Sequence, residues 1–288
     1  MISPLRSATF AIMKTFRLLF GVLVFGFFPY AALVGFSRSH TTDWPRLPAW
    51  LLSDLLPVGL ALVGIVLAER MLSGGSWTDG LRRLGLGRPN VRVFVAGFLA
   101  GLPALVGILI QVSRPQADRT LASSMTFIRV VLAQALFEEL LFRGFAFRRL
   151  NERIGFRRAA IAAAIVFGLC HAGNLFFRTI SGEMVAQVAI QIVLTTMLAF
   201  APTFLLRRSR GLLWGACLWH LMLDVGIFFP NAAPDAISAL PSLLGSLLTV
   251  PAAWAVARWF LPENTTSSAA DEAASIDPRS GASLSSGS

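Results

Sequence analysis

The chain has 288 residues, 55% of them hydrophobic and only 14% charged, with a mean hydropathy of +0.68. A water-soluble domain of this size carries about 25% charged residues, so the composition excludes that class and requires an integral membrane protein. The net charge of +10 belongs in such a chain to cytoplasmic loops and anionic lipid headgroups, not to nucleic acid.

A membrane-spanning helix needs about 20 mostly apolar residues. Eight stretches satisfy this in chain order: 16–36, 49–68, 92–112, 126–147, 159–179, 184–206, 211–229 and 238–260. The first follows Arg6, Lys14 and Arg17 and has no small-residue cleavage site, so it reads as a span and not as a signal peptide. Between the second and third lies ERMLSGGSWTDGLRRLGLGRPN, residues 69–90; its amphipathic WTDGLRRLGL is expected to lie along the membrane surface. The fourth span is the least hydrophobic, because it carries Glu138, Glu139 and Arg143. Residues 262–288 are small and polar, cannot bury enough apolar surface to fold, and are expected to be disordered. The sequon at Asn264 within them is incidental. The expected architecture is one all-α transmembrane domain over residues 1–261.

Basic residues orient it. With the N-terminus in the cytoplasm, the inside segments hold Arg70, Arg82, Arg83, Arg88 and Arg92, the run from Arg143 to Arg158, and Arg207, Arg208, Arg210, Arg258 and Arg279. The outside segments keep only Arg38, Arg46, Arg114, Arg119, Arg129 and Arg178. This asymmetry supports eight spans with both termini inside. Lys14 is the single lysine, the usage of a GC-rich bacterial genome, and the expected location is a bacterial plasma membrane. Cys170 and Cys217 are too few, and too deep in apolar segments, for a disulfide framework. Cys170 and His171 are adjacent and point about 100° apart on a helix, so they share no ligand face; both cysteines read as small packing residues.

Charge inside a membrane is costly and marks function. Glu138 lies twelve residues from Leu150, and His171 twelve from Ala159, each about 18 Å of helix. His220 and Asp224 lie nine and thirteen residues from Gly211, about 14 and 20 Å. Three helices thus bring polar groups to one depth, and such groups face each other in preference to lipid. Glu139 and Arg143 are spaced i, i+4 for an ion pair, leaving Glu138, rotated by about 100°, to face a cavity. His220 and Asp224 share the same i, i+4 spacing. Each residue alone is explained by an interhelical hydrogen bond; the set at matched depth points to a site.

These residues resemble the three motifs of the CAAX-protease and bacteriocin-processing (CPBP, or Abi) family of intramembrane proteases. Glu138, Glu139 and Arg143 match EExxxR, Phe167 and His171 match FxxxH, and His220 and Asp224 match HxxxN or HxxxD, in the family's order. The resemblance covers roughly residues 120–230. It implies glutamate-dependent hydrolysis of a peptide bond in a peptide or membrane-anchored protein. Glu138 would be the general base, and His171 would help hold the water. His220 and Asp224 would stabilise the oxyanion, with Glu139, Arg143 and Asn174 in support. Asp224 departs from the asparagine of the best-studied members. An ionised aspartate repels an oxyanion, so Asp224 is either protonated or orients His220. A metal-free mechanism is preferred, although Glu138, His171 and His220 could supply three zinc ligands with one open position. No HExxH occurs. Two rival readings remain: a proton-coupled transporter, against which the lack of internal repeats counts, and a non-catalytic membrane partner. Partners other than substrate and lipid, and the oligomeric state, are not legible.

Overall fold

The computed structural model describes residues 56–112, 135–177, 180–228 and 236–261, together with Arg17 and Gly21. The rest of the first expected span, the start of the fourth and the 262–288 tail lie outside the described residues. Within them the helices are α1 (Leu56–Ser73), α2 (Trp77–Arg83), α3 (Val91–Val112), α4 (Glu139–Phe147), α5 (Arg148–Ile154), α6 (Phe156–Cys170), α7 (Gly182–Leu198), α8 (Phe200–Arg208), α9 (Trp214–Phe228) and α10 (Ala236–Trp259). Five runs are long and apolar enough to cross a membrane: Leu56–Ser73, Val91–Ile110, Phe156–Gly173, Gly182–Arg208 and Leu240–Trp259. They fall on the second, third, fifth, sixth and eighth expected segments. The fourth and seventh are shorter among the described residues: α4 and α5 follow the undescribed 113–134, and α9 has 15 residues.

Packing follows the rule for helices in lipid, where small residues let backbones approach closely. On α3, a methyl group at Gly97 would overlap the Gly215 backbone of α9, and one at Gly107 would overlap the Pro241 carbonyl of α10. Ala96, Ala100 and Ala104 are fully buried on the same helix. An apolar groove of about 630 Å³ opens between α3 and α10, walled by Leu99, Val106, Ile110, Leu244 and Leu248. The α7–α8 run breaks at Ala199. Pro202 supplies no N–H to the turn before it and its ring crowds that turn's carbonyl, while the Ala199 carbonyl accepts the Thr203 hydroxyl at 3.1 Å.

Two apolar clusters result. One gathers α1, α4 and α6 around Phe137, Leu140, Phe142 and Phe167. The other gathers α3, α8 and α10 around Ala100, Leu205 and Ala253. Helix α9 serves both: Trp219 and Leu223 belong to the second cluster, whereas Cys217 packs on the first.

The 69–90 segment is only partly a surface element. Ser76 caps α2, donating its hydroxyl to Asp79 at 2.6 Å and accepting the Asp79 N–H at 3.2 Å. The Ser76 hydroxyl, then its N–H, hold the Asp79 carboxyl below its ordinary pKa. Trp77 is half exposed beneath the Arg70 guanidinium. The segment also packs inward at both ends. Leu84 is fully buried, its carbonyl set against Gly144 of α4. Glu69 is buried too, and accepts two bonds from Arg149, Nη2 at 2.8 Å and Nε at 3.2 Å. Such a forked guanidinium–carboxylate pair explains how this carboxylate tolerates burial.

Candidate active site

Helix α4 is a widened helix with i→i+5 bonding, all nine residues of which are buried. Such turns are rare and concentrate at functional sites. Its first residue, Glu139, is 0% exposed and pairs with Arg143 at 3.1 Å, as the spacing required. The approach is off the N–H axis, so the contact is an ion pair without an aligned hydrogen bond. Arg143 also reaches the Ala199 carbonyl at 3.5 Å, across the break before α8.

The same glutamate has a second partner that helical spacing could not reveal. His220 Nδ1 lies 2.8 Å from Glu139 Oε1. A carboxylate only accepts, so the imidazole donates here and its ring is fixed. That leaves Nε2 between two further carboxyl groups, 3.7 Å from Glu138 Oε2 and 3.5 Å from Asp224 Oδ1. The i, i+4 reading of His220 and Asp224 thus holds as proximity. Yet 3.5 Å is long for a hydrogen bond, and the task of orienting the ring falls to Glu139. Asp224 Oδ2, buried, has no hydrogen-bond partner among the described residues. Of the three carboxylates, Glu138 is the most accessible, its side chain 14% exposed against 0% for Glu139 and 8% for Asp224.

His171 joins through Phe167. The fifth apolar segment is not one continuous helix: α6 stops at Cys170, and His171 opens a tighter turn running to Phe177. In that turn His171 Nδ1 donates to the Phe167 carbonyl at 3.1 Å, which leaves Nε2 to carry the lone pair. The Phe167 ring is the hub. It meets the His171 ring at 5.2 Å and the His220 ring at 6.2 Å between centroids, and the Arg143 guanidinium at 4.3 Å. Guanidinium over an aromatic face is a favourable contact. The FxxxH spacing marks Phe167 but assigns it no task. Asn174 falls in the turn after His171, but its side chain lies outside the described set.

Among the described residues, no three His, Cys, Asp or Glu side chains stand close enough to hold an ion. Glu138, His171 and His220 as arranged do not make a three-ligand site. Cys170 and Cys217 are both free.

Glu138, Glu139 and Arg143, Phe167 and His171, and His220 with Asp224 thus occupy one connected site. Residues 120–226 match the family model of type II CAAX prenyl endopeptidases, Rce1-like. The Rce1-like segment contains all three motifs and runs from before α4 into α9; α1–α3 and α10 lie outside it. It agrees with the resemblance to the CPBP intramembrane proteases and supports a CAAX-type protease in a multi-pass membrane protein. Among curated proteins, none matches the chain significantly.

Proposed function

We propose that the chain is a glutamate-dependent intramembrane endopeptidase that hydrolyses a peptide bond of a membrane-associated peptide or protein end, of CAAX-processing type, in a bacterial plasma membrane. The observation that carries the reading is the ring of groups around His220: Glu139 on Nδ1 at 2.8 Å, with Glu138 and Asp224 facing Nε2.

Glu138, the most accessible carboxylate, takes a proton from a water held against it and the His171 Nε2 lone pair. The water oxygen bonds to the scissile carbonyl carbon, and the carbonyl π electrons move to oxygen. That oxyanion accepts from His220 Nε2–H and from Asp224. To donate there, His220 must carry protons on both nitrogens and Asp224 must be protonated, so the Glu138 and Glu139 carboxylates are the anions that face the imidazolium. Collapse of the intermediate breaks the C–N bond, and the proton held by Glu138 passes to the departing amine. Arg143 pairs with Glu139 at 3.1 Å and so holds in place the carboxylate that fixes the His220 ring.

Cleavage of a prenylated CAAX peptide by the purified chain, monitored by mass spectrometry, tests this. Wild type is expected to release the C-terminal tripeptide, and Glu138→Gln to fold but release none. Activity is expected to survive exhaustive chelation. Loss on chelation with recovery on adding stoichiometric zinc would replace this mechanism with a metalloprotease one.

A further inference from the structure

Glu139 and His220, which meet at 2.8 Å, each stand nine residues from a second meeting of the same two stretches of chain. There Arg148, the first residue of α5, donates from Nη2 to the Gly211 carbonyl in the turn that opens α9. The turn has an unusual backbone: φ is +55° at Arg210 and +78° at Gly211. A left-handed pair lets α8 reverse into α9 within a few residues. Internal bonds hold the turn, Gly211 N–H to the Leu206 carbonyl at 3.0 Å and Ser209 hydroxyl to the Leu212 carbonyl at 2.9 Å.

The guanidinium sits between two glycines. A methyl group at Gly211 would overlap it, and one at Gly85, where φ is +86°, would press on it. The Gly85 segment completes the clasp. Its carbonyl accepts Leu213 N–H at 3.0 Å, and the Gly87 carbonyl accepts Trp214 Nε1–H at 2.8 Å. From Leu213 onward, Leu213, Cys217, His220 and Asp224 follow at i, i+4, i+7 and i+11, so one face of α9 runs from the clasp to the site.

We propose that Arg148 is a positioning residue for hydrolysis: by clasping the Gly211 turn it sets the lengthwise register of α9 on α4. This holds His220 and Asp224 opposite Glu138 and Glu139. The inference rests on the endopeptidase reading above. Arg148 touches no reacting atom and acts through α9. Adjacent Arg149 supplies the contrast, because its fork binds Glu69 on α1, a helix that carries no site residue. Arg149 therefore supports the fold without setting the register.

The test compares Arg148→Met, which keeps an apolar stem but loses the donor, with Arg148→Lys, which retains one, and with Arg149→Met and Gly211→Ala. The full chain is assayed for kcat and KM on a prenylated CAAX peptide, and amide hydrogen exchange is followed over 213–220. Arg148→Met and Gly211→Ala are expected to lose on the order of ten- to hundredfold in kcat, as small misplacements of catalytic groups do, with KM little changed and exchange over 213–220 faster. Arg148→Lys should recover most of kcat, and Arg149→Met should lower the thermal midpoint while keeping kcat. Wild-type kcat in Arg148→Met would overturn the proposal. So would a fall in kcat with unchanged exchange, or an equal fall in Arg149→Met. If Arg148→Met does not fold, Arg148→Lys and Gly211→Ala decide by the same readings. If wild type itself cleaves nothing, the endopeptidase reading fails, and exchange over 213–220 still decides whether Arg148 holds the turn.

Discussion

Glu138 and Glu139 are neighbours in sequence with opposite surroundings. Glu138 faces His220 Nε2 at 3.7 Å and keeps partial access. Glu139 is sealed between Arg143 and His220. Glu139→Gln leaves Arg143 buried without an anion and gives His220 Nδ1 a neutral acceptor. Breaking a buried pair from one side costs about 3–5 kcal/mol. The expected result is a lowered thermal midpoint and reduced turnover together, whereas Glu138→Gln should lose turnover alone; a stable, active Glu139→Gln would separate Glu139 from the site. Asp224 makes a second test. In the proposed mechanism it donates to the oxyanion, and an amide donates as well. Asp224→Asn is then expected to keep most activity and to flatten any decline at high pH, since the variant cannot ionise. A large loss at every pH, read from paired pH–rate profiles, would instead assign Asp224 the work of a fixed anion.

At the scale of elements, the site depends on helices that are close together or broken where they need to be. The approach of α3 to α9 and α10 leaves no room for a side chain at Gly97 or Gly107. Overpacking a tight interior costs about 1–3 kcal/mol or more. Gly107→Val is expected to lower the detergent-solubilised midpoint markedly while Gly59→Val, at a position with open space around it among the described residues, leaves it near wild type. Equal midpoints would mean that α3 and α10 do not meet as described. The broken elements sit at the chemistry. The widened α4 carries Glu139 and Arg143, the end of α6 frees His171 for its turn, and the α7–α8 break leaves the Ala199 carbonyl to Arg143.

For the whole molecule, the site lies where the two apolar clusters meet, with α4 and α6 on one side and α9 between them. Its depth in the bilayer follows from the topology inferred from the basic residues. Reporter fusions after Leu261 are expected to be cytoplasmic, and fusions within 230–237 periplasmic. The reverse pattern for both would invert the orientation, and the side from which substrate arrives with it.

Much of this was determined by composition and spacing alone. Five of the eight apolar runs correspond to long apolar helices among the described residues, because the bilayer demands length and hydrophobicity that any sequence must display openly. The Glu139–Arg143 pair was legible because four-residue spacing is local to one helix. The meeting of Glu138 and Asp224 at His220 was legible from matched distances along their helices, because helical rise is constant. Tertiary structure decided what local spacing cannot encode. It sets Glu139 on His220 across 81 residues, makes Phe167 the hub of both histidines, and pairs Glu69 with Arg149 and Arg148 with Gly211. A helical period states which face a residue occupies, whereas the partner on that face depends on which helix packs there and at what register.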